Sequence, residues 1–301
     1  MVSVIIPTLN AEVYIHKLFK SLQEQSVSCE IIIIDSSSSD NTVQIARSLG
    51  LTVMKINRKN FDHGGTRNLA LSIARGDILV FLTQDALLKD TTCIENLIKP
   101  LDEPMIAASY GRQIPRADAN PVERFARLFN YPSRERIKGL NDLPITGIKT
   151  FFFSNVCSAI KKKMLEDVGG FPNRTIMNED MFVAAKLLHK GYKIAYCSAA
   201  VVYHSHNYSL IMQFKRYFDI GVFFSQNKWF TDLTKPGKEG VKYLKEEIRF
   251  LIANSAWRWL PFALVETMAR FLGYRMGLLE RGLPLWVKKR ISNNKIFWGS
   301  L

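Results

Sequence analysis

The sequence predicts an α/β protein with a parallel, doubly wound sheet, followed by a helical C-terminal region. Short apolar strands alternate with amphipathic helices through the first hundred residues, at the spacing of strand–helix–strand units. Polar residues follow three of these strands, where sheets of this class bind ligands. The chain has 301 residues, 47% hydrophobic and 23% charged, so it can bury a substantial core, and wholesale disorder is excluded.

The first half contains the clearest elements. Apolar runs predict strands at 2–7, 30–35, 51–56, 78–82 and 105–111. Apolar residues at helical spacing predict helices at 12–25, from a cap at Asp40 to near Gly50, and at 66–74.

The second half is less regular. Residues 112–150 form a long mixed segment, with one helix predicted at 121–130. A strand and a helix follow within 151–168, and the remaining predictions are a helix at 179–190 and strands at 193–197 and 201–206. From residue 209 onward the chain is predicted to be helical, basic and aromatic.

The polar strand ends indicate the kind of ligand. They are Thr8-Leu9-Asn10, Asp35-Ser36-Ser37 and Gln84-Asp85. No GxGxxG follows the first strand and no GxxxxGK[ST] occurs, which disfavours dinucleotide oxidoreductases and P-loop phosphotransferases. An acidic strand end without a lysine cradle suggests instead that a divalent cation neutralises ligand phosphates.

The net charge of +14 favours an anionic partner. From residue 209 onward there are 16 Lys/Arg against 7 Asp/Glu, and all five tryptophans lie there, a composition that suits a membrane interface. The most apolar stretch, 256–273, contains Arg258, Pro261, Glu266 and Arg270 and is expected to lie on a membrane rather than cross it. Packing of these helices onto the rest of the protein is the alternative.

Two further features bear on location and partners. The N-terminus lacks a basic start and a cleavage pattern, so no secretory signal is predicted. The four scattered cysteines lack metal-ligand spacing and suit a reducing compartment, so a cytoplasmic location is expected. A nucleic-acid binder, suggested by charge alone, is disfavoured because no nucleic-acid module is recognisable.

Seven motifs resemble one family in their order: IIPTLN, IIIDSSSSDNT, HGGTRN, QDA, GGF, NED and HSH, over about residues 1–208. This layout is similar to the inverting glycosyltransferases of family 2, with the GT-A fold. The resemblance implies a Rossmann-like, mostly parallel central sheet with helices on both faces. It also implies a nucleotide-sugar-binding half at 1–111 and an acceptor-binding half at 112–208. The composition of residues 209–301, not the resemblance, predicts a basic, Trp-rich helical region that associates with a membrane.

A narrower resemblance concerns the sugar. FDHGGTRN, LTQDA, GRQ and FNYP resemble the rhamnosyltransferase branch, which moves L-rhamnose from dTDP-L-rhamnose to polyprenyl-diphosphate-linked saccharides in bacterial O-antigen synthesis. The implied protein is a peripheral enzyme on the inner face of the cytoplasmic membrane. The alternative is a family 2 enzyme that uses a UDP-hexose or a UDP-N-acetylhexosamine.

The family resemblance assigns donor-binding roles to residues of the first half: Pro7, Thr8, Asn10, Glu12, Asp35, Ser37, Arg67, Gln84 and Asp85. Asp35 would contact the pyrimidine, and its alternative role is to cap the following turn. Asn10 and Glu12 would line the binding site for the base and ribose, or would instead cap the first helix. Arg67 would lie near the diphosphate in a first helical turn, or on an exposed helix face.

The resemblance also implies a metal site and a general base. Asp85 matches the last acid of the family's Asp-x-Asp, with Thr83 where many members have the earlier acid. Asp85 with His204 or His206, more strongly His204, would bind Mn²⁺ or Mg²⁺, and the alternative is an ordinary histidine pair. Asp180 matches the general base, with Glu179 as the competing candidate. Either acid would also suit the helix dipole as a structural residue.

Overall fold

The computed structural model describes residues 1–233 and 238–299. Its central feature is one mixed sheet, in the order β3-β2-β1-β4-β8-β6-β9-β5 with β7 beside β9. The strands are β1 (Val2–Thr8), β2 (Cys29–Asp35), β3 (Thr52–Lys55), β4 (Ile78–Leu82), β5 (Leu87–Leu88), β6 (Ile106–Ile114), β7 (Arg136–Lys138), β8 (Cys157–Lys161) and β9 (Lys193–Tyr203).

The helices fall into two groups along the chain. The first group connects and covers the strands: α1 (Glu12–Gln23), α2 (Thr42–Ser48), α3 (His63–Ile73), α4 (Cys93–Ile98), α5 (Pro121–Asn130), α6 (Leu143–Thr146), α7 (Lys162–Asp167) and α8 (Glu179–His189). The second group follows the last strand: α9 (Leu210–Gln226), α10 (Trp229–Asp232), α11 (Lys238–Ala253), α12 (Leu260–Leu278) and α13 (Leu285–Ile291).

The α/β class is confirmed, and the sheet is mixed rather than uniformly parallel. β1 pairs parallel with β2 and β4, and β2 with β3, as the doubly wound pattern predicts. β8 then enters antiparallel between β4 and β6. Ile15 of α1 and Ala46 of α2 belong to the same core cluster, so these helices cover one face of the sheet. α3 packs through Gly64 against Phe171, which contacts Phe81 on the other face.

Successive residues of the buried strands pack into the core on opposite faces of the sheet. Val4 and Val80 pack with Ile15 and Leu18 of α1 in one buried cluster. Phe81, one residue further along β4, points the opposite way and contacts the Phe171 ring with centroids 5.1 Å apart. Alternate residues of these buried strands therefore supply both faces of the sheet.

Several predicted boundaries are corrected. The strands predicted at 193–197 and 201–206 are the single strand β9, whose register against β6 shifts after Gly111 and which ends before His204. A Cβ on Gly111 would lie 2.6 Å from the Ala200 carbonyl oxygen, so only glycine fits at this irregularity. The long segment 112–150 contributes β7 to the sheet, a strand too short to show a period.

The helix predicted at 66–74 begins earlier, at His63. Asp62 precedes it with an extended backbone and accepts a hydrogen bond from the Gly65 amide at 2.7 Å. Asp62 is therefore an ordinary N-cap. The prediction relied on apolar spacing and missed this helix start, because the two residues after His63 are glycines. Arg67 consequently lies in the second helical turn rather than the first.

The chain forms two compact units. The first comprises residues 1–114, 131–173 and 179–204 and contains the whole sheet. The second comprises 115–130, 174–178 and the residues from Ser205 onward. The division by function at 111/112 and 208/209 stays a prediction.

The second unit is held together by aromatic contacts and by a close helix crossing. Phe125 of α5 contacts Tyr243 and Phe250 of α11, with ring centroids 5.0 and 5.5 Å apart. α9 and α12 cross so closely that a Cβ on Gly277 would lie 2.2 Å from the Phe218 carbonyl oxygen. Within the described ranges, none of the helices has both the length and the apolar character needed to span a membrane.

Candidate active site

Asp35 ends β2 with a fully buried carboxylate. The Thr8 hydroxyl donates to Oδ2 at 3.1 Å, the Ser38 amide donates to Oδ1 at 2.9 Å, and the Ser38 hydroxyl also donates to Oδ2. Ser37, in the left-handed region, donates to the Ile56 carbonyl at 2.8 Å. Asp35 therefore caps the turn after β2, its alternative role, and its pyrimidine contact stays a prediction.

Asn10 and Glu12 join the loop after β1 to the loop before α2. Asn10 Oδ1 accepts from the Ser39 amide at 2.9 Å, and Glu12 accepts from the amide and the side chain of Asn41 at 3.0 and 2.9 Å. The hydrogen bonds from Asn41 hold the pKa of Glu12 below its usual range. α1 itself follows Ala11, which makes no side-chain cap, so neither residue caps that helix.

The contacts of Gln84 account for a glutamine, rather than a second acid, immediately before Asp85. Its Oε1 accepts from the Leu9 amide at 2.8 Å, and its Nε2 donates to the Leu9 carbonyl at 3.1 Å. A carboxylate could accept but not donate, so it could not clamp both backbone groups. Pro7 and Thr8 immediately precede Leu9, so Gln84 fixes the backbone next to these two residues, which are predicted to contact the nucleotide.

Arg67 is buried, with 6% of its surface exposed, which excludes the alternative of an exposed helix face, and its place near the diphosphate stays a prediction. Its Nη1 lies 3.0 Å from Glu179 Oε1 and donates to the His63 carbonyl at 2.8 Å. Burial raises the pKa of Glu179, but Arg67 and His63 outweigh it and the net shift is downward. Glu179 is therefore an anionic ion-pair partner rather than a proton acceptor. Among the described residues, nothing accepts a hydrogen bond from Arg67 Nε.

Asp180, the next residue, has the opposite electrostatic character. Its Oδ2 accepts from the Asn155 amide at 3.2 Å and its Oδ1 from the Met181 amide at 2.7 Å. Burial, reinforced by the neighbouring Glu179 carboxylate, raises the pKa of Asp180 to about 7. A half-buried carboxyl group that ionises near neutrality has the property a general base needs. The two acids that the sequence left as competitors therefore differ in the direction of their pKa shifts, and the assignment of Asp180 as the base stays a prediction.

The loop at 154–156 brings Asp180 to the carboxyl end of β4. The Asn155 amide donates to Asp180, and the Val156 carbonyl accepts from the Thr83 amide at 3.3 Å. Thr83 is two residues before Asp85. Asp180 and Asp85 therefore belong to the same end of the sheet.

Asp85 and His204 approach each other at this end. Asp85 Oδ2 lies 3.5 Å from His204 Nε2, and only 11% and 8% of the two side chains are exposed. The other ring nitrogen, Nδ1, lies 2.9 Å from Gln113 Oε1. An amide oxygen can only accept, so Nδ1 carries a hydrogen in this pairing, and Nε2 is the ring nitrogen that faces the carboxylate.

The family model for glycosyl transferase family 2 matches residues 3–169. The chain belongs to glycosyltransferase family 2. The O-antigen chain rhamnosyltransferase RfbN of Salmonella typhimurium is 43% identical over 304 residues, which cover 100% of this chain and 96% of that protein. The O-antigen chain rhamnosyltransferase WbaN of Salmonella anatum is 43% identical over 306 residues, covering 99% and 96%.

Solved structures share the fold of this glycosyltransferase. The mannosyltransferase PcManGT from Pyrobaculum calidifontis, in complex with GDP-Man and Mn²⁺, gives a TM-score of 0.59 at 19% identity and covers 99% of this chain and 84% of that one. TarS 1–349 of S. aureus, in complex with UDP-GlcNAc, gives 0.58 at 17% identity and covers 93% and 91%. These likenesses confirm the GT-A fold.

The glycosyltransferase has a group of side chains that could hold a metal ion: Asp85, His204 and His206, whose ligand atoms lie within 4.8 Å of one another. Two imidazoles and one carboxylate suit Mn²⁺ somewhat better than Mg²⁺, which prefers oxygen alone. The buried Thr83 hydroxyl has no hydrogen-bond partner among the described residues. A polar atom without a partner two residues from Asp85 fits a site that a bound group completes.

Sequence reasoning missed the residues that support these side chains. Gln113 holds His204, Ser154 and Tyr131 hold Gln113, and Asn155 holds Asp180. GRQ and FNYP were noted as similar to the rhamnosyltransferase branch, but nothing in either motif showed that its polar residue turns inward. Gln113 lies within β6, two residues beyond the predicted end of that strand, and nothing local to it signals its role.

Proposed function

We propose that this glycosyltransferase transfers L-rhamnose, with inversion, from dTDP-L-rhamnose to a polyprenyl-diphosphate-linked saccharide in O-antigen synthesis. The full-length 43% identity to two O-antigen chain rhamnosyltransferases carries the proposal. The carboxyl end of the sheet supports it with a base candidate, Asp180, and a cation site at Asp85 and His204.

In the proposed reaction, Asp180 removes the proton from the acceptor hydroxyl as that oxygen attacks the anomeric carbon. The Asn155 and Met181 amides hold the carboxylate in place. Burial, reinforced by Glu179, raises its pKa to about 7, so that it can accept a proton near neutral pH. Asp85, His204 and His206 would hold the divalent cation, which when bound supplies positive charge against the donor diphosphate. Gln84 and Asp35 shape the two loops proposed to enclose the nucleotide.

The donor is tested directly with the purified full-length protein, Mn²⁺ and a polyprenyl-diphosphate-linked saccharide. We expect dTDP release from dTDP-L-rhamnose that requires the acceptor, at least about tenfold faster than nucleotide release from UDP-glucose, UDP-galactose or UDP-N-acetylglucosamine, since a site that hydrogen-bonds one donor rejects others by such factors. Faster turnover of any UDP-sugar would assign the enzyme to the alternative donor class.

We also propose that the second unit docks on an anionic membrane surface through α12 and its neighbours. Exposed apolar side chains line α12 at helical spacing: Leu264, Val265, Met268, Phe271 and Leu272. Trp257 and Trp286, 60% and 69% exposed, flank the helix in the sequence, and Lys289 and Arg290 of α13 are exposed cations. Trp298, in contrast, is buried in the core, which corrects its assignment to the interface.

The docking proposal predicts that M268E/F271E weakens binding to vesicles containing anionic lipid by at least about tenfold, because two apolar side chains no longer enter the interface. Flotation of the full-length protein measures it. Val13→Glu is the matched control, since Val13 is an apolar residue of α1 that is 75% exposed. Equal flotation of M268E/F271E and the wild type would exclude docking through this face.

A further inference from the structure

We infer that Gln113 is a positioning residue that sets the tautomer of His204 and so presents Nε2 as a metal ligand. The inference rests on the metal site of the proposed function. It concerns the four buried side chains of Gln113, Tyr131, Ser154 and His204, all in the first unit and each at most 9% exposed.

The orientation of the Gln113 amide follows from its two hydroxyl neighbours. Nε2 lies 2.6 Å from Tyr131 Oη and 3.0 Å from Ser154 Oγ, so both of its N–H groups have an acceptor. Oε1 then faces His204 Nδ1 at 2.9 Å. In the reversed orientation Oε1 would face both hydroxyls and Nε2 would face the ring, so His204 Nδ1 would have to accept rather than donate.

The position of Gln113 Oε1 determines which nitrogen of the His204 ring is available to a metal ion. Because Oε1 accepts from Nδ1–H, Nε2 is the ring nitrogen left to bind a cation, and it faces Asp85 Oδ2 at 3.5 Å. A ring held this way is prepared for a cation, and partners of this kind typically contribute 10–100-fold to metal affinity.

The same network connects the two motifs to which the resemblance assigned no role. Gln113 closes GRQ after the Gly111 irregularity, Tyr131 lies in FNYP, and the two side chains meet in one hydrogen bond. Ser154 adds a link to the loop whose next residue, Asn155, holds Asp180. The buried Gln113 amide therefore links His204, the proposed metal ligand, to the loop whose Asn155 amide positions Asp180, the proposed base.

Gln113→Leu and Gln113→Glu separate positioning from packing. The leucine variant has nothing to accept from Nδ1–H, whereas the glutamate can accept it and also take hydrogen bonds from both hydroxyls. Gln25→Leu is the matched control: Gln25 is an amide of the first unit, half-buried, with three hydrogen bonds, to Ser21, Asp90 and Ile94. The readouts are the ¹⁵N NMR signals of the His204 ring without metal, and Mn²⁺ affinity from the EPR signal of the free ion.

We expect wild type, Q113E and Q25L to carry the hydrogen on Nδ1, and Q113L to lose this preference and bind Mn²⁺ about 10–100-fold more weakly. A hydrogen on Nε2 in the wild type, or an unchanged tautomer or Mn²⁺ affinity in Q113L, would overturn the inference. Failure of wild type itself to bind Mn²⁺ would overturn the proposed metal site. The tautomer readout, taken without metal, would still decide whether Gln113 sets the ring.

Discussion

Asp180→Asn is expected to lower kcat by about 10³-fold while leaving donor binding near that of the wild type. The asparagine amide cannot take a proton from the acceptor hydroxyl, and general-base catalysis contributes 10²–10⁴-fold in typical enzymes. Asparagine also has one acceptor oxygen for the Asn155 and Met181 amides that now share a carboxylate, so a modest fall in Tm is expected. Single-turnover rates with saturating dTDP-L-rhamnose and acceptor measure the effect on chemistry.

The pH dependence of the wild type follows from the same residue. The pKa of Asp180 is raised to about 7, and only its ionised form accepts a proton. The rate should therefore fall about tenfold per pH unit below 7 and level off above it. Asp77→Asn is the control, because that carboxylate is 91% exposed at the start of β4. A D180N rate within tenfold of wild type, or a profile without a break near neutrality, would remove Asp180 as the base.

Asp85→Asn is expected to weaken Mn²⁺ binding and to lower kcat/KM, each by at least about 100-fold, equivalent to ~3 kcal/mol. The substitution keeps the shape of the side chain but removes the negative charge that faces His204 Nε2 at 3.5 Å. Asp90→Asn, an exposed carboxylate in the next loop, is the matched control. Mn²⁺ titration and steady-state kinetics should show both losses together. Normal Mn²⁺ affinity in D85N would place the cation elsewhere.

The elements that the sequence predicted best are those whose signal is local. β4 has the predicted bounds because its apolar run is continuous and is followed directly by polar residues. The helix at 121–130 is likewise confirmed. β7 was missed because three residues cannot show a period, and its place depends on pairing with β9, far along the chain.

The contacts that a residue makes in the folded protein were harder to predict than the secondary-structure elements. Arg67 was predicted to meet a diphosphate, but the sequence could not show that Glu179, more than a hundred residues away, neutralises it. All five tryptophans lie in the last third of the sequence, but composition could not show that Trp298 is buried while Trp257 and Trp286 are exposed. Gln113 carried no signal because its importance comes entirely from what surrounds it.

The central claim is that Asp85 and His204 bind the cation against which the nucleotide-sugar diphosphate lies. The most direct measurement is anomalous diffraction from crystals grown with Mn²⁺ and dTDP. We expect one Mn²⁺ peak bonded to an Asp85 oxygen and to His204 Nε2, with a dTDP phosphate oxygen as a further ligand. A dTDP molecule bound without Mn²⁺ at these two side chains, or an Mn²⁺ peak elsewhere in the protein, would contradict the account.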